Sequence, residues 1–156
     1  MTEGRLSRIS GSLAEASGLG GAALYELGRV GERGLLAEVI RIDGDRATLQ
    51  VYEETSGLSV GEPVALTGES LAVELGPGLL GQVLDGVGRP LGRLAERTGD
   101  FIAPGASAVT LDRERRFDFT PAIDLEVGAT VAPGDVLGTV EESAGLVHRI
   151  LVPPEG

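Results

Sequence analysis

The stretch Gly76-Pro77-Gly78-Leu79-Leu80-Gly81-Gln82-Val83-Leu84-Asp85-Gly86-Val87-Gly88-Arg89-Pro90-Leu91 separates two regions of the chain that both read as β-rich. Pro77 suits the first position of a helix, because its fixed φ is already helical and its missing N–H is not needed there. Apolar residues then recur at the spacing of one helix face: they are Leu79, Leu80, Val83 and Leu84. Gly86 can adopt the left-handed conformation that ends a helix, and Pro90 prevents its continuation. The sequence therefore predicts a short junction helix within 76–91.

The composition favours an all-β protein. The chain has 156 residues, of which 42% are hydrophobic, 3% are aromatic and 25 are Gly. So much Gly indicates strands and turns, and so few rings mean a core of aliphatic side chains. No run approaches the roughly 18 apolar residues of a membrane span, and the first residues lack the pattern of a signal peptide. With no Cys there is no disulfide scaffold, so we expect a cytoplasmic protein without direct membrane insertion.

The charged residues exclude several classes of function. The net charge is −11 and the basic residues are interspersed with acidic ones, which argues against nucleic-acid binding. All 13 basic residues are Arg, and Lys is absent. A G-x-x-x-x-G-K-[ST] phosphate loop, a Schiff-base lysine and a lysine that carries biotin or lipoate are therefore impossible within this chain.

The first region, residues 1–75, is predicted to be a six-stranded barrel. Short strands are separated by turn signals every 8 to 12 residues or so, which is typical of sandwiches and barrels. The expected strands are 5–10, 23–27, 35–42, 46–52, 63–66 and 70–75. Asp43-Gly44 supplies the positive φ of a tight hairpin turn between the third and fourth of them. Closure into a barrel would hide the strand edges.

The last region, residues 92–156, is predicted to be a second β-rich domain, similar to a barrel-sandwich and incomplete at its C-terminal end. Arg93 to Arg97 reads as a charged connector. The expected strands include Phe101 to Ala103, Leu111 to Phe119, Val131 to Glu141 with a Pro-Gly turn, and Leu146 to Val152. The pattern Val131 to Glu141 resembles the hammerhead of biotinyl and lipoyl carrier domains, whose function needs a Lys that this chain lacks.

No catalytic, cofactor or metal site is predicted. His148 is the single histidine, so it cannot form a paired-His metal site, and no Ser or Asp spacing makes it part of a triad. Two carboxylate pairs could in principle serve acid-base chemistry, but their turn and strand-end positions favour solvation: they are Asp43 with Asp45, and Glu53 with Glu54. Gly18-Leu19-Gly20-Gly21 lacks the flanking strand and the helix of a phosphate site.

Several blocks of the sequence resemble the catalytic A subunit of V/A-type rotary ATPases, in the order found there. The order Gly-Pro-Gly-Leu-Leu and then Asp85-Gly86-x-x-Arg89-Pro90-Leu91 is similar to the junction after the N-terminal barrel of that protein. The other matching blocks are Val51-Tyr52-Glu53-Glu54-Thr55-Ser56-Gly57-Leu58, Gly61-Glu62-Pro63-Val64, Thr98-Gly99-Asp100-Phe101-Ile102, Leu111-Asp112-Arg113-Glu114 and Ile150-Leu151-Val152-Pro153-Pro154. The resemblance covers nearly the whole chain but only the N-terminal portion of the family protein.

This resemblance implies a structural role. In the family, the barrels of alternating A and B subunits form a collar, and the insertion projects outward, where stator components lie. ATP and Mg belong to a nucleotide-binding domain that is absent here, so the chain itself would neither bind nor hydrolyse ATP. Its place would be on the cytoplasmic side, peripheral to the membrane within an ion-translocating complex. The alternatives are a stand-alone barrel or hammerhead module that binds a partner, and an enzyme with an unrecognised site.

Overall fold

The structure is a computed structural model that describes residues 2–143 and 145–154. The strands are β1 (Glu3–Ser10), β2 (Leu13–Ser17), β3 (Glu26–Val30), β4 (Leu35–Asp43), β5 (Arg46–Val51), β6 (Pro63–Ser70), β7 (Phe119–Pro121), β8 (Val136–Ser143) and β9 (Leu146–Leu151), with one helix, α1 (Leu91–Thr98), between β6 and β7. The chain forms two compact units. Unit 1 contains Met1–Val73 and Leu84–Ala108, and unit 2 contains Glu74–Val83 and Val109–Gly156.

Unit 1 is built on a closed antiparallel barrel of six strands, in the order β1-β2-β5-β4-β3-β6. Alternate residues point inward, as the two-residue period of a strand requires. The core is wholly aliphatic: Leu6, Ala14, Ala16, Leu19, Val30, Leu35, Ala37, Val39, Ala47, Leu49, Val51, Val64 and Leu66. The prediction of an all-β fold with an N-terminal six-stranded barrel is confirmed.

Two hairpins in the barrel turn on glycine. Ser10 pairs with Leu13 across a two-residue loop that starts with Gly11, at φ 60°. Asp43 pairs with Arg46 across a loop that starts with Gly44, at φ 62°. A positive φ at the first loop residue is the pattern of a type II′ turn, which matches the twist of the flanking strands.

The barrel has the expected number of strands, although two predicted positions were wrong. β2 was not predicted, because its inward residues are Ala14 and Ala16, whose small side chains give a weak apolar alternation. The predicted strand at 70–75 does not form, since β6 already ends at Ser70 and the residues after it are mostly exposed. The predicted strand at 23–27 overlaps β3 only at its last two residues.

The predicted junction helix within 76–91 is wrong. Gly78 and Gly81 have φ values of 99° and 81°, which no α-helix contains, and Leu80 is exposed rather than part of a buried stripe. The helix instead lies where a charged connector was expected, immediately after Pro90. Pro90 thus precedes a helix rather than ending one, which agrees with the preference of Pro for helix starts. The helix buries Leu94 and is capped after Thr98 by Gly99, whose amide donates to the Ala95 carbonyl at 2.8 Å.

Unit 2 contains a three-stranded antiparallel sheet in the order β7-β8-β9. The predicted Pro-Gly turn forms at 132–135, where the Asp135 amide donates to the Ala132 carbonyl at 3.0 Å, but the residues before it are not a strand. The strand predicted at Leu146 to Val152 is confirmed as β9. Phe101 to Ala103 is not a strand, and of Leu111 to Phe119 only Phe119 is in one.

The compact units interleave along the chain, because residues 84–108 return to unit 1. The predicted domain boundaries after residues 75 and 91 stay a prediction, since compactness does not show which part folds alone. In the described part of the chain, no helix has the length and apolar composition to cross a bilayer.

Candidate functional site

Asp85 organises the turn at the start of the 84–108 segment. Its Oδ1 atom accepts hydrogen bonds from the backbone amides of Val87 at 3.1 Å and Arg89 at 2.8 Å. Its Oδ2 atom accepts from Nε of Arg89 at 2.7 Å. Gly88 completes the turn by donating its amide to the Asp85 carbonyl at 3.1 Å. The Asp-Gly-x-x-Arg spacing therefore encodes one closed loop in which the carboxylate replaces water at the backbone donors.

Arg89 connects this turn to the barrel. Its Nη1 atom donates to the Ala106 carbonyl at 2.9 Å and lies 3.6 Å from Oε1 of Glu53. The side chains are largely buried, with exposed fractions of 15% for Arg89, 9% for Glu53 and 18% for Asp85. A guanidinium held between two carboxylates in this way is charge-neutralised and fixed in orientation.

Glu53, just after β5, is the barrel residue to which the 84–108 segment binds. Oε1 accepts from the Leu36 amide at 3.0 Å, and Oε2 accepts from the Gly105 amide at 2.8 Å. The prediction that Glu53 is solvated is therefore wrong, because three separate segments of unit 1 converge on its carboxylate. Gly105 has φ 73°, and a Cβ there would overlap the backbone carbonyl of Arg33. The 84–108 segment thus approaches the barrel so closely that only glycine fits.

We call Glu53, Arg89 and Asp85, with the backbone groups that they bind, the anchor cluster. Burial raises the pKa of Asp85, but hydrogen bonds from the Arg89 amide, the Arg89 guanidinium and the Val87 amide outweigh it, so this pKa lies below its ordinary value. Each carboxylate has its oxygens engaged by backbone and guanidinium donors. A general acid or base needs an accessible lone pair or proton, whereas these carboxylates are held by hydrogen bonds within the turn and the barrel.

The other carboxylates considered in the sequence, Asp43, Asp45 and Glu54, lie at the surface. Asp43, at the end of β4, and Asp45, in the β4–β5 turn, are exposed. Glu54 accepts from the hydroxyl and amide of Ser56 at 2.7 and 3.1 Å, and these bonds lower its pKa. These carboxylates lie on an exposed loop and a hairpin end, as predicted.

The Gly18-Leu19-Gly20-Gly21 loop belongs to the barrel. Leu19 is fully buried in the core, and its amide donates to the Asp45 carbonyl at 2.8 Å. Gly4 faces it, where a Cβ would lie 2.7 Å from Cδ2 of Leu19. The loop thus closes the barrel with an apolar side chain.

His148 takes part in a small polar cluster of unit 2. Its Nε2 atom contacts Oε2 of Glu142, and Oε1 of Glu142 accepts from the Gly78 amide at 2.7 Å. Burial raises the pKa of Glu142, but the hydrogen bonds from Gly78 and His148 prevail, so the carboxyl has a pKa below its ordinary value. The cluster ties the 74–83 segment to the sheet. Within residues 2–143 and 145–154, no group of three or more His, Cys, Asp or Glu has a metal-binding arrangement.

Arg89 and Gly105 were not identified as functional residues from the sequence. A signal for Arg89 was present in the sequence. It stands four residues after an Asp, with Gly between them, and this spacing allows an Asp–Arg pair to close a loop. For Gly105 and for the contact of Glu53, no local pattern exists, because their partners lie far away in the chain.

Comparison with known proteins matches both parts of the chain to one family. Residues 6–68 match the beta-barrel domain of the ATP synthase alpha/beta family, and residues 108–156 match the ATP synthase alpha/beta subunit barrel-sandwich domain. The matched regions coincide with the barrel and with most of unit 2. The two matches thus account independently for the two β-rich regions.

Three curated relatives have similar identity. The A subunit of the A-type ATP synthase of Desulfurococcus sp. (strain SY) is 52% identical over 97% of this chain and 26% of that protein. The protein with the same name from Pyrococcus horikoshii is 51% identical over 99% of this chain and 16% of its own length. V-type ATP synthase alpha chain of Anaeromyxobacter sp. (strain K) is 55% identical over 97% of this chain and 26% of that protein. The chain thus spans about a quarter or less of the length of these relatives. It belongs to the ATP synthase alpha/beta family, as the N-terminal portion of an A subunit of the V/A type.

Proposed function

We propose that this chain is the assembly part of the A subunit of a V/A-type, ion-translocating ATPase or ATP synthase. Its barrel joins the barrels of B-type subunits in a collar, and its barrel-sandwich region faces stator components. The chain itself binds neither nucleotide nor Mg²⁺, and catalysis belongs to another part of the full-length protein. The complex is membrane-bound, with this part on the cytoplasmic side.

The observation that carries this proposal is the anchor cluster. It fixes the 84–108 segment to the barrel through carboxylates whose oxygens all have hydrogen-bond or ion-pair partners. Glu53 binds two amides and Arg89, and Asp85 binds two amides and the same Arg89. A buried network whose members are all satisfied rigidifies its surroundings. A rigid barrel with a fixed exit segment suits a part that positions a neighbouring domain.

The absence of Lys supports the non-catalytic half of the proposal. Phosphate loops of the ATPase type place a Lys on the β- and γ-phosphates, and this chain has none to supply. The names of the relatives support the proposed place in an ATP synthase complex, since each is a subunit or chain of an ATP synthase.

Site-directed cross-linking tests the collar. The chain has no Cys, so one cysteine can be introduced at an outward position of each barrel strand in turn. Suitable positions are Ser7, Glu15, Arg29, Ile40, Thr48 and Ala65. Each full-length variant is assembled with B-type subunits and treated with a short bismaleimide, after a single cysteine is placed on each B-type barrel.

A ring of alternating barrels predicts products between A and B subunits from strands on opposite sides of the barrel, and none from the strands between them. Because the strand order is β1-β2-β5-β4-β3-β6, opposite pairs are β1 with β4, β2 with β3, and β5 with β6. Products between two A subunits, or no product from any position, would exclude the collar.

A further inference from the structure

A buried carboxylate shapes the loop that leads into β3. Glu26 is 7% exposed, and its Oε2 atom accepts a hydrogen bond from the Ala23 amide at 2.9 Å. Its Oε1 atom accepts from the Gly68 amide of β6 at 2.7 Å. The Glu26 amide donates to the Ala23 carbonyl at 3.3 Å, so the backbone and the side chain of Glu26 close the same turn. We call residues 23–26 the Tyr25 turn.

The backbone of Tyr25 is strained within this turn. Its φ is 65°, and among residues 2–143 and 145–154 every other residue with a positive φ is Gly. Gly or Asn is usual at the third position of a turn with such a φ, because a Cβ there comes too close to a carbonyl oxygen. The Tyr25 amide also donates to the Val39 carbonyl at 2.8 Å, so β4 helps to hold the strained residue in place.

Burial of the Tyr25 ring does not offset this strain. Tyr25 is 63% exposed, and Leu24, beside it in the turn, is 54% exposed. Ile40, which follows Val39 on β4, is 41% exposed. Strained backbone conformations persist where the conformation itself is used, and Tyr is enriched at the centres of protein interfaces. A Gly at position 25 would relieve the strain and lose little packing, so the Tyr indicates a contact beyond these residues.

The size of this apolar patch limits what its partner can be. Free side chains of this kind expose about 200 Å² each, so Leu24, Tyr25 and Ile40 together offer roughly 300 Å². A stable interface needs about 800 Å² from each partner. The partner must therefore be held by further contacts, as a neighbouring subunit in a ring is. A second copy of the chain is disfavoured, since each copy carries a net charge of −11.

We propose that Leu24, Tyr25 and Ile40 form the contact through which this barrel meets the barrel of a neighbouring B-type subunit, with the Tyr25 ring in an apolar pocket of that subunit. The inference rests on the proposed collar and adds the part of the barrel that takes part in it. Glu26 fixes Tyr25 in its binding conformation before the partner arrives, which lowers the entropy lost on association.

Hydroxyl-radical footprinting of the full-length A subunit, alone and assembled with B-type subunits, tests this contact. Oxidation of Tyr25 is expected in the A subunit alone and is expected to be largely lost on assembly, because the pocket keeps water and radicals from the ring. Tyr52, which follows β5 and is 40% exposed, is the internal control and should keep its reactivity.

Tyr25→Gly separates the contact from the strain. In residues 1–156 the change relieves the strain, so the urea midpoint is expected to stay the same or to rise. In the full-length subunit it removes the ring and is expected to raise the Kd for B-type subunits roughly 10-fold. Tyr25→Phe keeps the ring and should assemble like the wild type. Val60→Ala shortens another apolar side chain that is 66% exposed and should leave both the midpoint and the Kd unchanged.

The results that would overturn the proposal differ in what they leave standing. A lower urea midpoint for Tyr25→Gly in residues 1–156 would show that the ring packs within its own chain. Protection of Tyr25 in the full-length A subunit alone would identify the occupant as another part of the same polypeptide. Full reactivity of Tyr25 in assemblies whose barrels cross-link would reject this contact and leave the collar intact. A lack of cross-links from every barrel strand would reject the collar, and this contact with it.

Discussion

The backbone amide of Gly105 donates to Oε2 of Glu53 at 2.8 Å, across 52 residues of sequence. This contact joins the segment that follows α1 to the end of β5. On the same carboxylate, Oε1 accepts the Leu36 amide and faces Arg89, so one side chain holds three parts of unit 1 together. The anchor cluster is thus the point at which the barrel and the 84–108 segment become one structure.

Removing this carboxylate is expected to destabilise unit 1 strongly. Glu53→Ala leaves two amides and the Arg89 guanidinium without their acceptor, at a cost of roughly 2–4 kcal/mol. Urea unfolding followed by circular dichroism measures the loss. Glu54→Ala is the matched control, because Glu54 is adjacent but its carboxylate binds neighbouring groups of an exposed loop, so its effect should be much smaller than that of Glu53→Ala. Equal effects of the two changes would contradict the role of Glu53.

The close approach at Gly105 predicts a steric effect beyond that of its backbone conformation. Gly105→Ala and Gly34→Ala both place a side chain at a positive φ, 73° and 65°, which costs roughly 1 kcal/mol in each case. Only at Gly105 would the new Cβ also overlap a backbone carbonyl, whereas nothing lies within 4 Å of the position at Gly34. We expect Gly105→Ala to expose the 84–108 segment to limited proteolysis, with Gly34→Ala resistant. Similar cleavage of both variants would argue against close packing.

The β4–β5 turn predicts a purely conformational penalty. Gly44 has φ 62° and open space around it, so Gly44→Val should cost roughly 1–3 kcal/mol through backbone strain alone. Gln50→Val, on the outward face of β5, should be nearly neutral. Denaturation midpoints of the two variants give the comparison, and losses of the same size would mean that the turn does not need glycine.

The lowered pKa of Asp85 predicts a definite pH dependence. A carboxyl whose pKa is lower in the folded than in the unfolded state contributes stability above its unfolded pKa and loses that contribution as pH falls through the folded pKa. The ordinary value is 3.8, so the loss lies below about pH 4. Asp85→Asn lacks this contribution at every pH. The difference in unfolding free energy between wild type and Asp85→Asn should therefore be largest at neutral pH and shrink below pH 4. A difference that does not change with pH would exclude ionisation as its source.

The barrel could be predicted from the sequence because its signals are local. The apolar alternation of β4 and β5 and the glycine between them are visible in adjacent residues. β2 was missed because Ala14 and Ala16 carry little apolar surface, although both are fully buried once the barrel closes. Local hydrophobicity therefore indicates large inward residues and misses small ones.

The 76–91 stretch and the anchor cluster could not be predicted, for different reasons. Pro77 and its neighbours have helical punctuation, but Gly78 and Gly81 adopt positive φ, which only glycine does freely and which the sequence alone does not reveal. Glu53 was expected to be solvated from its strand-end position, and its partners, Arg89 and Gly105, could not be foreseen because they come from distant segments. Pairing between residues so far apart in the chain depends on the fold, and it produces no periodic pattern in the sequence.

Isothermal titration calorimetry of residues 1–156 with Mg-ATP tests most directly the claim that this chain itself binds no nucleotide. If the chain is a structural part of the full-length protein, no binding heat is expected at up to millimolar nucleotide, because the chain has no Lys and no phosphate loop. Saturable binding with a micromolar Kd, or any release of phosphate by the purified chain, would contradict it.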